Sequence, residues 1–347
     1  MTTQPKSYEH DRTIWEQCAG TYERQIVRGH PDVTAYESFE HSLIEKLVLH
    51  LTRDMSLQLH CYDFGCGSGR IHTLLAPLLM PANAFDGETA LKDGGLVHVG
   101  GIDFSTSMVE LAQRNLYDAG FGNLCPERLS FDTGSAFDVP PYTGMHLPLA
   151  VSVCNSIGVM QGEEGARSLF RTMQRFVKPN NGIALISCYS LEAVEGYALG
   201  NYESTMDVSG QPRWLEPDTY SSRDYTLLPK FYKRAHDPET TIIVDVYDRE
   251  YKRVHENFVL HRNRELVDEV IRTGHVITSH DYHSRWYAPD QIIAWMRKYW
   301  GDNGTLWHIP ALRLDRLRGE PAQLAIVDYS GAFEPLGHSW DLTPLNL

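Results

Sequence analysis

Residues 61–70 read CYDFGCGSGR, and the way they are read decides the fold. The first half, preceded by LQLH (57–60), has the apolar pattern of a short buried strand. The second half sets glycines at alternate positions, Gly65, Gly67 and Gly69, ahead of IHTLLAPLL (71–79), which has the pattern of a helix. A strand, a glycine loop and a helix start follow one another. Glycine permits positive φ and close approach of a ligand to the backbone, and a helix start offers N–H groups to a carboxylate or phosphate. The loop is therefore a candidate cofactor cradle, or else a plain tight connection.

The spacing is GxGxG rather than the GxGxxG of dinucleotide sites, and Asp63 stands two residues before the first glycine. This resembles motif I of the class I S-adenosylmethionine (SAM) dependent methyltransferases. The resemblance implies that Asp63, Gly65, Cys66, Gly67, Gly69 and Arg70 line the amino-acid end of SAM, with the acidic residue holding its ammonium group.

The next landmark is GIDFSTSMVELA (101–112). Val97 to Ile102 reads as a second strand with Asp103 at its end, and Ser105 reads as the cap of the following helix. Asp103 alone reads equally as a helix cap or as an acceptor for ribose hydroxyls. The joint occurrence with the glycine loop, one helix apart, decides for the second. The string resembles methyltransferase motif II and implies that Asp103, Phe104, Ser105 and Met108 border the nucleoside.

Two further pieces follow in register. LSFDTGSAFDVPP (129–141) reads as a third strand and turn in which Ser135 precedes Ala136, where the family commonly places an acidic residue against adenine. Ser135, Asp138 or backbone groups would take that part. LPLAVSVCNSIGVMQ (147–161) reads as a fourth strand ending at Asn155, and KPNNGIALISCYS (178–190) resembles the turn and fifth strand that come next.

The expected architecture is α/β: a Rossmann-like seven-stranded methyltransferase sheet with helices on both faces, an N-terminal helical extension, and a large β-containing cap inserted after the fifth strand. The divisions are 1–51 for the extension, 52–190 for the SAM-binding core, 191–285 for the cap, 286–330 for completion of the sheet and 331–347 for a surface tail. The extension is helical with a break near Gly29 to Pro31, its second helix starting near Tyr36. Ile14, Cys18, Tyr22 and Ile26 fall on one helical face, the pattern of a core stripe. WEQCAGTYE (15–23) also resembles the N-terminal helix of small-molecule methyltransferases, in which a tyrosine placed like Tyr22 closes over the methyl-donor pocket. PANAFDGETALKDGG (81–95) reads as a surface insertion. In the cap, TTIIVDVYDREYKRV and NFVLHRNRELV suggest antiparallel strands. Inserts at that edge of a doubly wound sheet lie where the crevice opens, so the cap would select substrate; it would serve equally as a homodimerisation arm.

With 347 residues and a formal net charge of −14, the chain holds a full core, and its surface should repel nucleic acid and anionic membrane. The six cysteines are scattered without a CxxC pair, no apolar run suits a signal peptide, and none approaches membrane-spanning length. The expectation is a cytoplasmic enzyme with reduced thiols, a small-molecule substrate, SAM as cofactor and S-adenosylhomocysteine as product. His280, Asp281 and His283 in SHDYHSRWY invite a metal reading, but neighbours at that spacing on a strand point apart, so no metal is expected.

Catalytic candidates are Tyr22, Asn155 and His283, the last as a general base. Candidates for substrate contact are Tyr22, Tyr189, Trp214, Tyr220, Trp286 and Tyr287, and Asn155 also borders the cofactor. CNSIG (154–158) with the tyrosine of the first helix resembles the glycine N-methyltransferase branch, which implies N-methylation of an amino compound. O- or C-methylation of a specialised metabolite, or a non-catalytic SAM-binding role, are the alternatives.

Overall fold

The structure is a computed structural model. It describes residues 12–13, 15–16, 19, 31–79, 95–191, 225–228, 241–248, 253–261, 283–309, 322–340 and 342–345. The chain divides into two compact units. One comprises Glu37–Cys188, Asp290–Pro310 and Gln323–Leu347; the other comprises Met1–Tyr36, Tyr189–Pro289 and Ala311–Ala322.

The first unit is built on a seven-stranded sheet. Its helices and strands run, in chain order, α1 (Pro31–Leu49), β1 (Gln58–Phe64), α2 (Arg70–Leu79), β2 (Gly95–Asp103), α3 (Thr106–Asp118), β3 (Leu129–Thr133) and β4 (Leu147–Ser152). There follow α4 (Ser156–Val159), α5 (Gly162–Val177), β5 (Ile183–Tyr189), α6 (Pro289–Trp295), β10 (Thr305–Ile309), β11 (Ala322–Asp328) and α7 (Glu334–Ser339). The strand order is β10-β11-β5-β4-β1-β2-β3. The β1/β2, β2/β3, β1/β4 and β4/β5 pairs are parallel, and β10 and β11 are antiparallel to each other. The last strand in sequence, β11, thus lies between β5 and β10.

Alternation along β1 shows how the sheet takes helices on both faces. Leu59 and Cys61 join Ile44, Leu47 and Leu51 from α1 and its π-helical end, and Ile71 and Leu75 from α2, in one buried cluster. His60, Tyr62 and Phe64 point the other way, their rings packing near Phe176 of α5. On that side Phe170 meets Trp300, whose indole N–H donates to the Phe170 carbonyl at 2.9 Å. Helix α1 begins at Pro31 rather than near Tyr36, because a proline in the first turn gives up an N–H that has no helical partner there.

The C-terminal residues correct the expectation of a surface tail. Asp328, itself buried, accepts hydrogen bonds from the N–H groups of Ser330, Gly331 and Phe333. This folds the chain back so that Phe333 is fully buried, edge-on to Trp307 at 5.4 Å, and the Leu345 N–H donates to the Leu306 carbonyl. The signal was the aromatic spacing Phe333 to Trp340, which composition alone does not separate from exposed residues.

The second unit contains an antiparallel sheet, β6 (Tyr225–Leu228), β7 (Thr241–Asp248), β8 (Arg253–His261) and β9 (His283–Ser284), in that order. Next to it Ser190 bridges Tyr287, and Tyr189 lies against Trp286 with ring centroids 5.0 Å apart. No helix among the described residues is long and apolar enough to cross a membrane.

Replacing Phe333 by Ala should destabilise the protein by about 3–5 kcal/mol, the usual cost of emptying a fully buried aromatic site. Urea unfolding followed by tryptophan fluorescence measures it; a change within 0.5 kcal/mol, as expected of a surface substitution, would mean that the tail does not pack as described.

Candidate active site

The sheet order reverses between β1 and β4, so the crevice at their C-terminal ends is where a doubly wound fold receives its ligand. The glycine loop leaves β1 there with φ of +85° at Gly65, +49° at Gly67 and +77° at Gly69. Its backbone is tied to β2. The N–H groups of Gly65 and Cys66 both donate to the Ile102 carbonyl, and the Gly67 N–H donates to Asp103 Oδ2 at 3.0 Å. The Gly69 N–H donates to the Cys66 carbonyl. The N–H groups of Gly65, Cys66, Gly67 and Gly69 are therefore spent within the protein.

The glycines instead serve different ends. A Cβ on Gly69 would stand 2.8 Å from the Ala112 Cβ, and one on Gly65 would stand 2.7 Å from the Met160 Cε, so both positions are set by packing. A Cβ on Gly67 would meet nothing within 4 Å, so this glycine borders open space.

Two carboxylates flank the loop. Asp103 takes the Gly67 N–H on one oxygen and the Ser105 N–H on the other at 2.9 Å, while the Ser105 hydroxyl caps α3 by accepting from the Met108 N–H. Ser105 is thus the cap of α3, and Asp103 ties the end of β2 to the glycine loop. Asp63 is 2% exposed, and its Oδ1 has no hydrogen-bond partner among the described residues. Burial pushes its carboxyl up to about 8; the Arg70 guanidinium opposes this, while Asp103 and Glu40 add to it. The same guanidinium, after burial, helps hold His41 down to about 4. Burial keeps the Cys66 thiol protonated, with its pKa far above the ordinary value.

At the end of β4, Cys154 and Asn155 both adopt left-handed backbone, with φ of +54° and +56°. The Ser156 hydroxyl after them lies within hydrogen-bond reach of the Val153 carbonyl at 2.8 Å and the Gly65 carbonyl at 3.3 Å, so this turn abuts the glycine loop. Ser135 holds its own turn, accepting from the Phe137 N–H on its hydroxyl, beside the buried Ala136.

One unit therefore gathers Asp63, Gly65, Cys66, Gly67, Gly69, Arg70, Asp103, Phe104, Ser105, Met108, Ser135, Ala136 and Asn155 on the elements expected of them. Tyr189, Trp286 and Tyr287 come together in the other unit: the Tyr287 N–H donates to the Tyr189 carbonyl, and all three are buried. His283 lies on β9 in that unit. Tyr22, Trp214, Tyr220, His280 and Asp281 lie outside the described residues, as does the 81–94 insertion. Among the described residues no group of three His, Cys, Asp or Glu side chains is disposed to hold a metal ion.

One residue escaped the sequence reading. Glu40 sits on α1 in line with Leu43, Ile44, Leu47 and Val48, and is 2% exposed. A carboxylate on the apolar stripe of a helix was the available signal.

Residues 58–228 match the family model of a methyltransferase domain. The structure of the CcbJ methyltransferase from Streptomyces caelestis is similar over 92% of this chain and 98% of that one, with a TM-score of 0.54 and 13% identity, a likeness of fold. A SAM-dependent methyltransferase from Clostridium acetobutylicum ATCC 824 aligns over 90% and 98% at 10% identity and a TM-score of 0.44. The glycopeptide N-methyltransferase MtfA, solved with S-adenosylhomocysteine, aligns over 84% and 86% at 14% identity and a TM-score of 0.43. No curated protein sequence matches the chain.

The chain carries a methyltransferase domain over residues 58–228, on the fold of the class I SAM-dependent methyltransferases. It is an enzyme whose methyl donor is SAM. The residues present fit that cofactor: an unpartnered buried carboxylate oxygen suits an ammonium group, and a glycine facing open space leaves room for the ligand.

Asp103→Ala should weaken SAM binding by roughly 1.5–3 kcal/mol, read by calorimetric titration; unchanged affinity would remove Asp103 from the binding site. The folded chain holds the Asp63 proton at pH values where an unfolded chain, with an ordinary value of 3.8, has released it. Its contribution to the stability of the ligand-free protein is thus fully present below that value and is lost as the pH rises through about 8. Asp63→Asn should flatten this decline in thermal unfolding. In wild type, SAM binding near pH 6.5 should release a proton, seen as a buffer-dependent binding enthalpy that Asp63→Asn abolishes.

Proposed function

We propose that the enzyme transfers the methyl group of SAM to the nitrogen of a small amino compound. The observation that carries this reading is the end of β4, where a buried left-handed turn presents Asn155, an uncharged hydrogen-bonding side chain, and not an acid or base. SAM, when bound, supplies an electrophilic sulfonium methyl with a good leaving group, so alignment and exclusion of water are most of what the protein must add. An amine that reaches the site neutral needs no strong base, whereas a phenol or a carbon acid does.

In this reading Asp63 holds the ammonium of SAM, Asp103 its ribose hydroxyls, Gly67 leaves the space it lies in, and Phe104, Met108, Ser135 and Ala136 border its nucleoside. Asn155 orients the acceptor, with Tyr22 closing the pocket. The inserted segment, with Tyr189, Trp214, Tyr220, Trp286 and Tyr287, selects the acceptor. A net charge of −14 favours cationic small molecules over nucleic acid and suits a cytoplasmic enzyme.

The test is incubation of the purified protein with methyl-labelled SAM and separate panels of amines, phenols, carboxylic acids and carbon nucleophiles. Label on the nitrogen of an amine is the expected result; label confined to oxygen or carbon would overturn the reading. With an accepted amine, Asn155→Ala should lower kcat about 10–100-fold, the scale of a misaligned reactant, while SAM affinity stays near wild type.

A further inference from the structure

We propose that Glu40 is a positioning residue for the methyl-transfer site, latching the strained turn at the end of β4 to β5 and to α1. The proposal rests on the reading that the crevice beside this turn binds SAM. Two successive non-glycine residues in left-handed backbone, Cys154 and Asn155, are costly and persist only where the surroundings impose them. Asparagine tolerates that conformation; cysteine has no such ease. The Cys154 N–H donates to Glu40 Oε1 at 2.8 Å, and that same oxygen accepts the Ser187 hydroxyl from β5.

Glu40 and Ser187 are shielded from water, at 2% and 0% exposure, and Cys154 is partly covered. A carboxylate stationed on the apolar stripe of α1 carries a large desolvation cost, which a helix with only packing to do would avoid. What it gains is control of one backbone group, the N–H that enters the left-handed pair. Through Ser156, which reaches the Gly65 carbonyl, the turn in turn bears on the glycine loop. Glu40 thus fixes where Asn155 stands relative to the loop without itself needing to touch a ligand.

The test compares the full-length wild type with Glu40→Ala, Glu40→Gln and, as a control on the same helix, the exposed Glu45→Gln. Two readouts are used: amide hydrogen exchange by segment, and calorimetric titration with SAM. Glu40→Ala should speed exchange across 153–156 at least about tenfold, leave β1 and the interior of β4 protected, and weaken SAM binding about tenfold, the scale of one lost charged hydrogen bond. Glu40→Gln retains an acceptor oxygen and should restore both, and Glu45→Gln should match wild type.

Wild-type exchange at 153–156 together with wild-type SAM affinity in Glu40→Ala would overturn the proposal. So would an equal loss of protection throughout the sheet in both Glu40 variants, since that would make Glu40 a fold determinant only. If Glu40→Ala fails to fold, Ser187→Ala replaces it, with the same segment-specific loss expected in milder form and its absence overturning the latch. Absence of SAM binding by wild type would instead overturn the reading of the crevice, and the exchange data would still judge the latch.

Discussion

The two hydrogen bonds accepted by the Asp103 carboxylate hold the working edge of this protein together. One oxygen takes the N–H of Gly67 and the other the N–H of Ser105, so one side chain at the end of β2 fixes both the loop that leaves β1 and the start of α3. The buried Ser105 N–H would otherwise lack a partner, at a cost of about 1–3 kcal/mol, and the charged acceptor strengthens both bonds. The same constraint explains why the loop must be rich in glycine: its path across the β1/β2 edge runs through positive φ at Gly65, Gly67 and Gly69.

Around this fixed edge the buried charges have been kept few and close. Asp63, Glu40 and Asp103 share a neighbourhood with Arg70, and burial leaves the Asp63 carboxyl reluctant to ionise until a cation or a rise in pH favours it. Such a site is costly to the empty protein and suited to a ligand bearing positive charge, because the ligand supplies what the fold withholds. Glu40 adds a mechanical part, since its oxygen is shared between β5 and the turn after β4, where two successive residues adopt left-handed backbone.

The fold was legible in residues 61–112 because backbone constraints leave few alternatives there. Alternating glycines after a buried strand, an aspartate two residues earlier, and a second aspartate at the next strand end restrict the chain to a strand, loop and helix pattern. Ser105 as a cap was equally plain, since a hydroxyl before a helical run has one favoured use. The role of Phe333 was not, because an aromatic side chain near a chain end is compatible with burial or exposure until the turn at Asp328 is seen.

The sequence by itself determined the order of elements, the glycine loop with its two acidic neighbours and the class of chemistry, because these depend on contacts between residues near in the chain or on backbone angles that few residues tolerate. Only the tertiary structure decided that the loop's donors are already spent on Ile102 and Asp103, that Glu40 reaches Cys154 and Ser187, and that the C-terminal residues enter the core. Those facts depend on which distant groups meet once the sheet has formed. A carboxylate on an apolar helix stripe announces that it must have partners, but packing alone chooses them.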